Sequence, residues 1–232
     1  PCSFNKQYYP LHTNDDQCVK NDCNLKKKII ITGPNASGKT TLLKTSTINI
    51  IFSQQIGCGF YQSGTIHPYT HIHSYLNIPD TSQRDSLFQA ESRRCKEIID
   101  VIYNSDQETT RHYGIFDELY SGTNPDEATK TGYAFLKYLS KYKNVDFILT
   151  THYHKICSKL KNNEHIQNYQ MNVIQENDKF VYTYKMKKGI SKVQGALQIL
   201  EDMEYPTEII QEVKKFNQKQ NTKHNTKVKE VQ

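Results

Sequence analysis

The chain has 232 residues, enough for one large α/β domain or one domain with a small appendage. Hydrophobic residues make up 36% and charged residues 23%, the balance of a globular protein with a polar surface, and no apolar run approaches the roughly 20 residues that cross a bilayer. The net charge of +6 is compatible with a nucleic-acid partner without requiring one. No membrane partner is expected.

Residues 1–24 are polar and are expected to form an irregular lead-in. Their first ten residues lack the basic and then apolar pattern of a signal peptide. The start at Pro1 reads as a segment of a longer protein, although a trimmed start would look the same. Residues 26–32 read as a buried parallel strand, because the apolar run Ile29-Ile30-Ile31 is bounded by a glycine turn. A helix is expected to begin within 37–41 and run towards Phe52. Residues 57–76, rich in Tyr, His and Gly, suggest two short strands. Residues 84–103 carry Leu87, Ala90, Cys95, Ile98, Ile99 and Ile102 near helical spacing. Residues 112–116 and 145–150 read as strands, with a helix over 126–142 between them. Gly114 in mid-strand weakens the first of these.

Residues 167–174 and 179–186 suggest a hairpin around Glu176-Asn177-Asp178. A helical segment spans 191–215 with a break at Pro206, and from Gln211 the composition turns to Lys, Gln, Asn and Thr. Residues 216–232 are expected to be a polar, Lys-rich, disordered tail. Strands alternating with helices predict an α/β core over 25–190, a mainly parallel sheet flanked by helices. Cys2, Cys18, Cys23, Cys58, Cys95 and Cys157 form no CxxC pair and complete no zinc spacing, so free thiols in an intracellular, reducing compartment are expected.

Gly33-Pro34-Asn35-Ala36-Ser37-Gly38-Lys39-Thr40 fits the pattern GxxxxGK[ST]. Glycines let the backbone curl so that successive N–H groups point at one phosphate, and the following helix aims its positive end at the same anion. Lys39 then reaches the outer phosphates and Thr40, with Thr41 beside it, opens the helix. The Thr40 hydroxyl is a Mg²⁺ ligand in this pattern. A mere glycine-rich turn is the bland alternative, and the strand before and helix pattern after count against it.

Residues 113–118 form an apolar segment ending in Asp117 and Glu118. At the end of a buried strand beside the loop, Asp117 would join the Mg²⁺ shell and Glu118 would orient the attacking water or take its proton. Alone, an acidic pair after a strand only opens a loop. The next strand ends at Thr150-Thr151-His152, and a histidine there can hydrogen-bond a γ-phosphate or the water. Alone, it reads as a surface histidine. The three features close three successive predicted strands, where one site could gather them.

In this order the motifs resemble those of the MutS family, a branch of the ABC-type ATPases. Thr32-Gly33-Pro34-Asn35 with Gly38-Lys39 resembles its TGPN…GK loop. Gln55-Ile56-Gly57-Cys58 resembles its QIG segment, the counterpart of the Q-loop, and Ser86 to Glu91 its S-T-F-x-x-E helix start. Asp117-Glu118 with Ser121-Gly122-Thr123 resembles DE…GRGT, and Thr151 to His154 resembles THYH. Lys185 to Gly189, Ser191 and Gly195 resemble the run before its terminal helices.

The resemblance covers roughly residues 17–215. It implies a P-loop NTPase fold with a β-hairpin and C-terminal dimerisation helices. It also implies ATP and Mg²⁺, and a homo- or heterodimer with nucleotide sandwiched between subunits. Residues 33–40, Gln55, Asp117, Glu118 and His152 would act in cis. Ser86 would reach the partner's γ-phosphate in trans, although without the family it reads as a helix cap. Mismatched double-stranded DNA would be read by domains outside this chain.

The sequence departs from the family in places. Asn21-Asp22 resembles the pre-loop N-D, but Cys18 or Val19 stands where the family has an aromatic against adenine. Tyr184 could supply a ring from the other side, or be one tyrosine among 16. Tyr120 stands where the family has Gly-Arg, and residues 64–84 match loosely. Two alternatives remain open: a nucleotide-dependent dimerisation switch with negligible hydrolysis, and another ABC-type ATPase of chromosome maintenance or transport.

Overall fold

A computed structural model describes residues 1–12, 18–78, 86–176, 179–193 and 195–216. The chain opens with β1 (Ser3–Gln7), a 3-10 turn at Pro10–His12 and β2 (Asn21–Asn24). It continues through β3 (Lys28–Thr32), α1 (Lys39–Ile56), β4 (Ser63–Thr65), β5 (His71–Tyr75), α2 (Leu87–Asn104) and β6 (His112–Asp117). Then come α3 (Pro125–Leu139), β7 (Val145–Thr151), α4 (His154–Leu160), β8 (Ile166–Glu176), β9 (Lys179–Lys188) and α5 (Ala196–Asp202). After Pro206, residues 207–216 are helical again.

Six strands form one sheet in the order β5-β6-β7-β3-β8-β9, parallel except for β9, which folds back on β8. The α/β expectation and its parallel sheet are therefore met. β3 lies at the centre with all five residues buried. Alternate side chains leave a strand on opposite faces. Ile30 accordingly joins Phe116, Phe135, Leu149 and Ile156 on the face covered by α2, α3 and α4. Ile29 and Ile31 join Leu42, Leu43 and Ile50 of α1 on the other face. Gly114 does not interrupt β6: a Cβ there would meet the Phe116 ring at 2.6 Å, so the missing side chain is the space that ring fills.

Several expectations are corrected. Residues 1–24 are not simply irregular: β1 and β2 pair antiparallel, with β4 on the other edge of β1. Their buried positions are Phe4 and Gln7 in β1 and Cys23 in β2, and strands of five and four residues are too short to show a period. α1 continues past Phe52 to Ile56, ending at Gly57 in the left-handed conformation with φ 74°. α3 stops at Leu139, short of Tyr142. The helix after Pro206, expected to reach residue 215, takes in Phe216 as well. Residues 217–232, the 177–178 turn and the helix start expected at Arg84 lie outside the described residues. Among the described residues no helix is long and apolar enough to cross a membrane.

Candidate functional site

The link between β3 and α1 is a curl of backbone. Ala36 (φ 62°) and Gly38 (φ 90°) both adopt the left-handed region, which costs a residue with a side chain. Gly38 has a second reason to be glycine, since a Cβ there would lie 3.1 Å from Cδ1 of Tyr184. The curl delivers the chain to the N-terminus of α1, where unpaired N–H groups favour an anion. Lys39 Nζ folds back to donate to the carbonyls of Gly33 and Pro34, each at 3.0 Å. Burial lowers its pKa, while Glu118 and then Asp117 pull it back up. Ser37 Oγ is buried with no hydrogen-bond partner among the described residues.

The carboxylates arrive from β6. Parallel pairing sets Asp117 beside Thr150 of β7, and the Thr150 hydroxyl donates to Asp117 Oδ1. The Thr40 hydroxyl donates to Asp117 Oδ2 at 3.0 Å, joining the first turn of α1 to the end of β6. Glu118 follows at φ 52°, its N–H on the Thr150 carbonyl at 3.0 Å. Its Oε2 lies 2.7 Å from His152 Nδ1 and accepts the His152 backbone N–H at 3.3 Å. The Glu118 hydrogen bond raises the pKa of His152, against desolvation and the charge of Lys39.

These groups share one cavity of about 580 Å³. Asn35, Ala36, Gly38, Lys39, Thr40, Thr41, Asp117 and Glu118 line one part, and Tyr8, Tyr9, Cys18, Val19, Asn21 and Tyr184 another. His152 touches it only through Glu118. Asn21 works as a hook: its Nδ2 donates to the Tyr184 carbonyl at 2.9 Å and its Oδ1 accepts the Met186 N–H at 2.7 Å. The β8–β9 register shifts between Met171 and Val173, and Tyr184 on the opposing strand sits at φ 53°, which turns its ring over Gly38. Asp117 and Thr40 together offer a carboxylate and a hydroxyl, the hard oxygen donors a Mg²⁺ ion takes beside phosphates. Among the described residues no cluster of three His, Cys, Asp or Glu could hold a metal unaided.

A family model described as MutS domain V matches residues 29–221. The chain belongs to the MutS domain V family. Relatives include the DNA mismatch repair protein MutS of Geobacillus sp. (strain WCH70), 24% identical over 202 residues, which covers 85% of this chain and 23% of the relative. The protein of that name from Prochlorococcus marinus (strain MIT 9312) is 27% identical over 205 residues, covering 87% of this chain and 22% of the relative. That from Orientia tsutsugamushi (strain Ikeda) is 26% identical over 202 residues, covering 85% and 22%. This chain thus spans less than a quarter of the length of these relatives.

Within MutS domain V two expected site residues lie outside this cavity. Gln55 is exposed near the far end of α1 and does not line it. At 1.5 Å per residue, the 16 positions from Lys39 carry it about 24 Å along the helix axis. Ser86 caps α2, its Oγ accepting from Gln89 N at 3.3 Å while Gln89 Oε1 accepts the Ser86 N–H at 2.8 Å. It lies outside the cavity of its own chain. Sequence reasoning missed Thr150, Tyr8 and Tyr9. Thr150 reads as an ordinary β-branched strand residue, and the two tyrosines precede the matched region.

Proposed function

We propose that this domain binds ATP with Mg²⁺ in the cavity and hydrolyses it, as the nucleotide-driven part of a MutS-type DNA mismatch repair protein. The observation that carries the reading is the 3.0 Å contact between Thr40 and Asp117 beside the left-handed Gly38 turn. It puts a carboxylate, a hydroxyl and a helix N-terminus on one small volume. The curl of Gly33, Pro34, Asn35, Ala36, Ser37 and Gly38 supplies N–H groups to phosphate oxygens, with Thr41 on the same turn as Thr40. Lys39 exchanges its two carbonyl partners for those oxygens, which a charged acceptor makes favourable. Thr40 and Asp117 hold Mg²⁺, which offsets phosphate charge when bound. Glu118 orients the attacking water or takes its proton, and His152 keeps the Glu118 carboxylate turned towards the phosphates. Tyr184, hooked by Asn21, flanks the base.

The domain works as a homo- or heterodimer. Ser86 at the tip of α2 reaches the partner's nucleotide, adding a helix N-terminus to that anion. Beyond α5, Met203 and Tyr205 in the turn and Ile209 on the following helix are exposed, a patch suited to a second copy or a related subunit. Mismatched double-stranded DNA is recognised by parts of the protein outside this chain.

The test is Mg²⁺-dependent ATP binding by calorimetry and single-turnover hydrolysis in the full-length chain. Lys39→Ala should abolish binding, and Glu118→Gln should bind ATP normally but turn over about 10²-fold more slowly or worse. Parent-like hydrolysis in both variants would overturn the reading. A second reading, a dimerisation switch with negligible hydrolysis, draws on the Glu118–His152 contact, which already occupies the carboxylate. Binding with no single-turnover product in the dimer would favour it.

A further inference from the structure

Glu91 lies in the second turn of α2 and is 2% exposed. Burying a carboxylate is costly unless donors surround it. Here its Oε1 accepts the Ser121 N–H and the Ser121 hydroxyl, both at 2.9 Å, and its Oε2 accepts the Gly122 N–H at 3.0 Å. The Tyr75 hydroxyl accepts the Tyr120 N–H at 3.0 Å and so holds the same loop. The backbone thus held, 118–122, contains two left-handed residues, Glu118 and Tyr120 (φ 58°). Such conformations persist only where the surroundings enforce them. Gly122 closes the contact: a Cβ there would lie 2.7 Å from both Leu87 Cγ and the Phe88 N, so the loop rests directly on the first turn of α2.

We propose that Glu91 is a positioning residue that ties the Ser86 end of α2 to the strained loop carrying Glu118. This inference rests on the ATPase reading above. The carboxylate grips the loop three residues beyond Glu118, while Ser86 caps the same helix five residues before Glu91. A rigid α2 therefore cannot shift without moving residues 121 and 122. When Ser86 engages the nucleotide of a second subunit, the displacement passes through Glu91 to Glu118 in its own site. Each nucleotide so adjusts the chemistry of the other, as coupling between sites requires.

The experiment uses the full-length chain with a fluorescent ATP analogue for affinity, single-turnover hydrolysis for rate, and hydrogen exchange of residues 118–123 without nucleotide. In Glu91→Gln an NH₂ group must meet one of the loop's donors. The expected result is an affinity within about twofold of the parent, a rate about tenfold lower or worse, and faster exchange in 118–123 but not in 28–45. Glu91→Asp keeps both acceptors on a shorter stem and should recover part of the rate and protection. Ser121→Ala removes a single donor and should give a smaller fall, and it decides the matter if Glu91→Gln does not fold. Combined with Ser86→Ala, Glu91→Gln should lower the rate by less than the product of the two single effects.

A parent-like rate in Glu91→Gln or Ser121→Ala overturns the proposal, and so does a parallel loss of affinity and rate, which would mark Glu91 as a structural tie alone. If Glu118→Gln also hydrolyses like the parent, the role given to Glu118 fails and the Glu91 inference falls with it; if Lys39→Ala does so too, the site reading itself is overturned. If Glu118→Gln is slow and Glu91→Gln is not, only the Glu91 inference falls.

Discussion

His152 Nδ1 lies 2.7 Å from Glu118 Oε2, and the backbone N–H of the same histidine donates to the same oxygen. The contact is strongest with the imidazole protonated, and the Glu118 hydrogen bond raises the His152 pKa. A histidine whose folded pKa is raised binds its proton more tightly in the folded state. Its stabilisation is fully present below the unfolded value of about 6.5 and is lost as pH rises through the folded pKa. The melting temperature of the parent should therefore exceed that of His152→Gln most at pH 6. The gap should narrow towards pH 8.5, as thermal melts across that range would show. A constant gap would mean the pair does not titrate as described.

Gly38 and Gly57 both adopt positive φ at the two ends of α1, yet their surroundings differ. A Cβ at Gly38 would press on Tyr184 at 3.1 Å, whereas at Gly57 it would meet nothing within 4 Å. Gly38→Ala should lower ATP affinity about tenfold or more by unfolding the curl that presents N–H groups, with a stability cost of about 1–3 kcal/mol. Gly57→Ala should cost about 1 kcal/mol of stability and leave ATP affinity within twofold. Calorimetric titration and denaturant unfolding of the two variants separate the effects.

How far the sequence spoke depended on the range of each signal. Ile29-Ile30-Ile31 and the glycine spacing after it are local, so β3, the curl and Lys39 could be read directly. Asp117 and Glu118 could be placed because a buried strand ends where they begin. Thr150, which holds Asp117, could not, because its role exists only once β6 and β7 are in register. Tyr8 and Tyr9 reach the cavity from the β1 side of a small sheet whose strands are too short to show a period. Gln55 stands outside the cavity for a different reason. A motif gives order along the chain, while its place near the end of the 18-residue helix α1 sets its distance from Gly38. α4 has seven residues, less than two full periods of helical pattern.

Asn21 and Tyr184 lie 163 positions apart, and the side chain of one carries the backbone of the other. Asn21→Ala would leave the Met186 N–H and the Tyr184 carbonyl without that partner, freeing the bulge that turns the ring over Gly38. ATP affinity should fall about three- to tenfold, and Tyr184→Ala should fall similarly, since both lose one face of the base site. Inorganic triphosphate binding should stay unchanged in both variants. Equal losses for ATP and inorganic triphosphate would place Tyr184 on the phosphates instead.

At the β5 edge, His73 and His112 face each other inside the fold. His73 Nε2 lies 3.0 Å from His112 Nδ1, and His112 Nε2 lies 2.9 Å from the Ser105 hydroxyl. The rings stack with centroids 5.2 Å apart, His71 stacks on His112 at 4.7 Å, and Arg94 acts on His73 with a like charge. Burial, then the neighbouring positive groups, lowers both pKa values to about 4. Both imidazoles are then neutral in the folded protein between pH 4 and 6.5, while the unfolded chain takes up protons across that window. Folding stability should fall as pH drops through it, by up to about 3 kcal/mol for each histidine at about 1.4 kcal/mol per pKa unit. His73→Phe keeps a stacked ring but removes one titrating group and one hydrogen bond. It should be less stable than the parent by about 1 kcal/mol at pH 7.5, and its stability should decline less steeply towards pH 4.5. Urea unfolding at pH 7.5, 6 and 4.5 measures both slopes. Parallel slopes would show that the pair is already protonated in the fold, and that acid lability arises elsewhere.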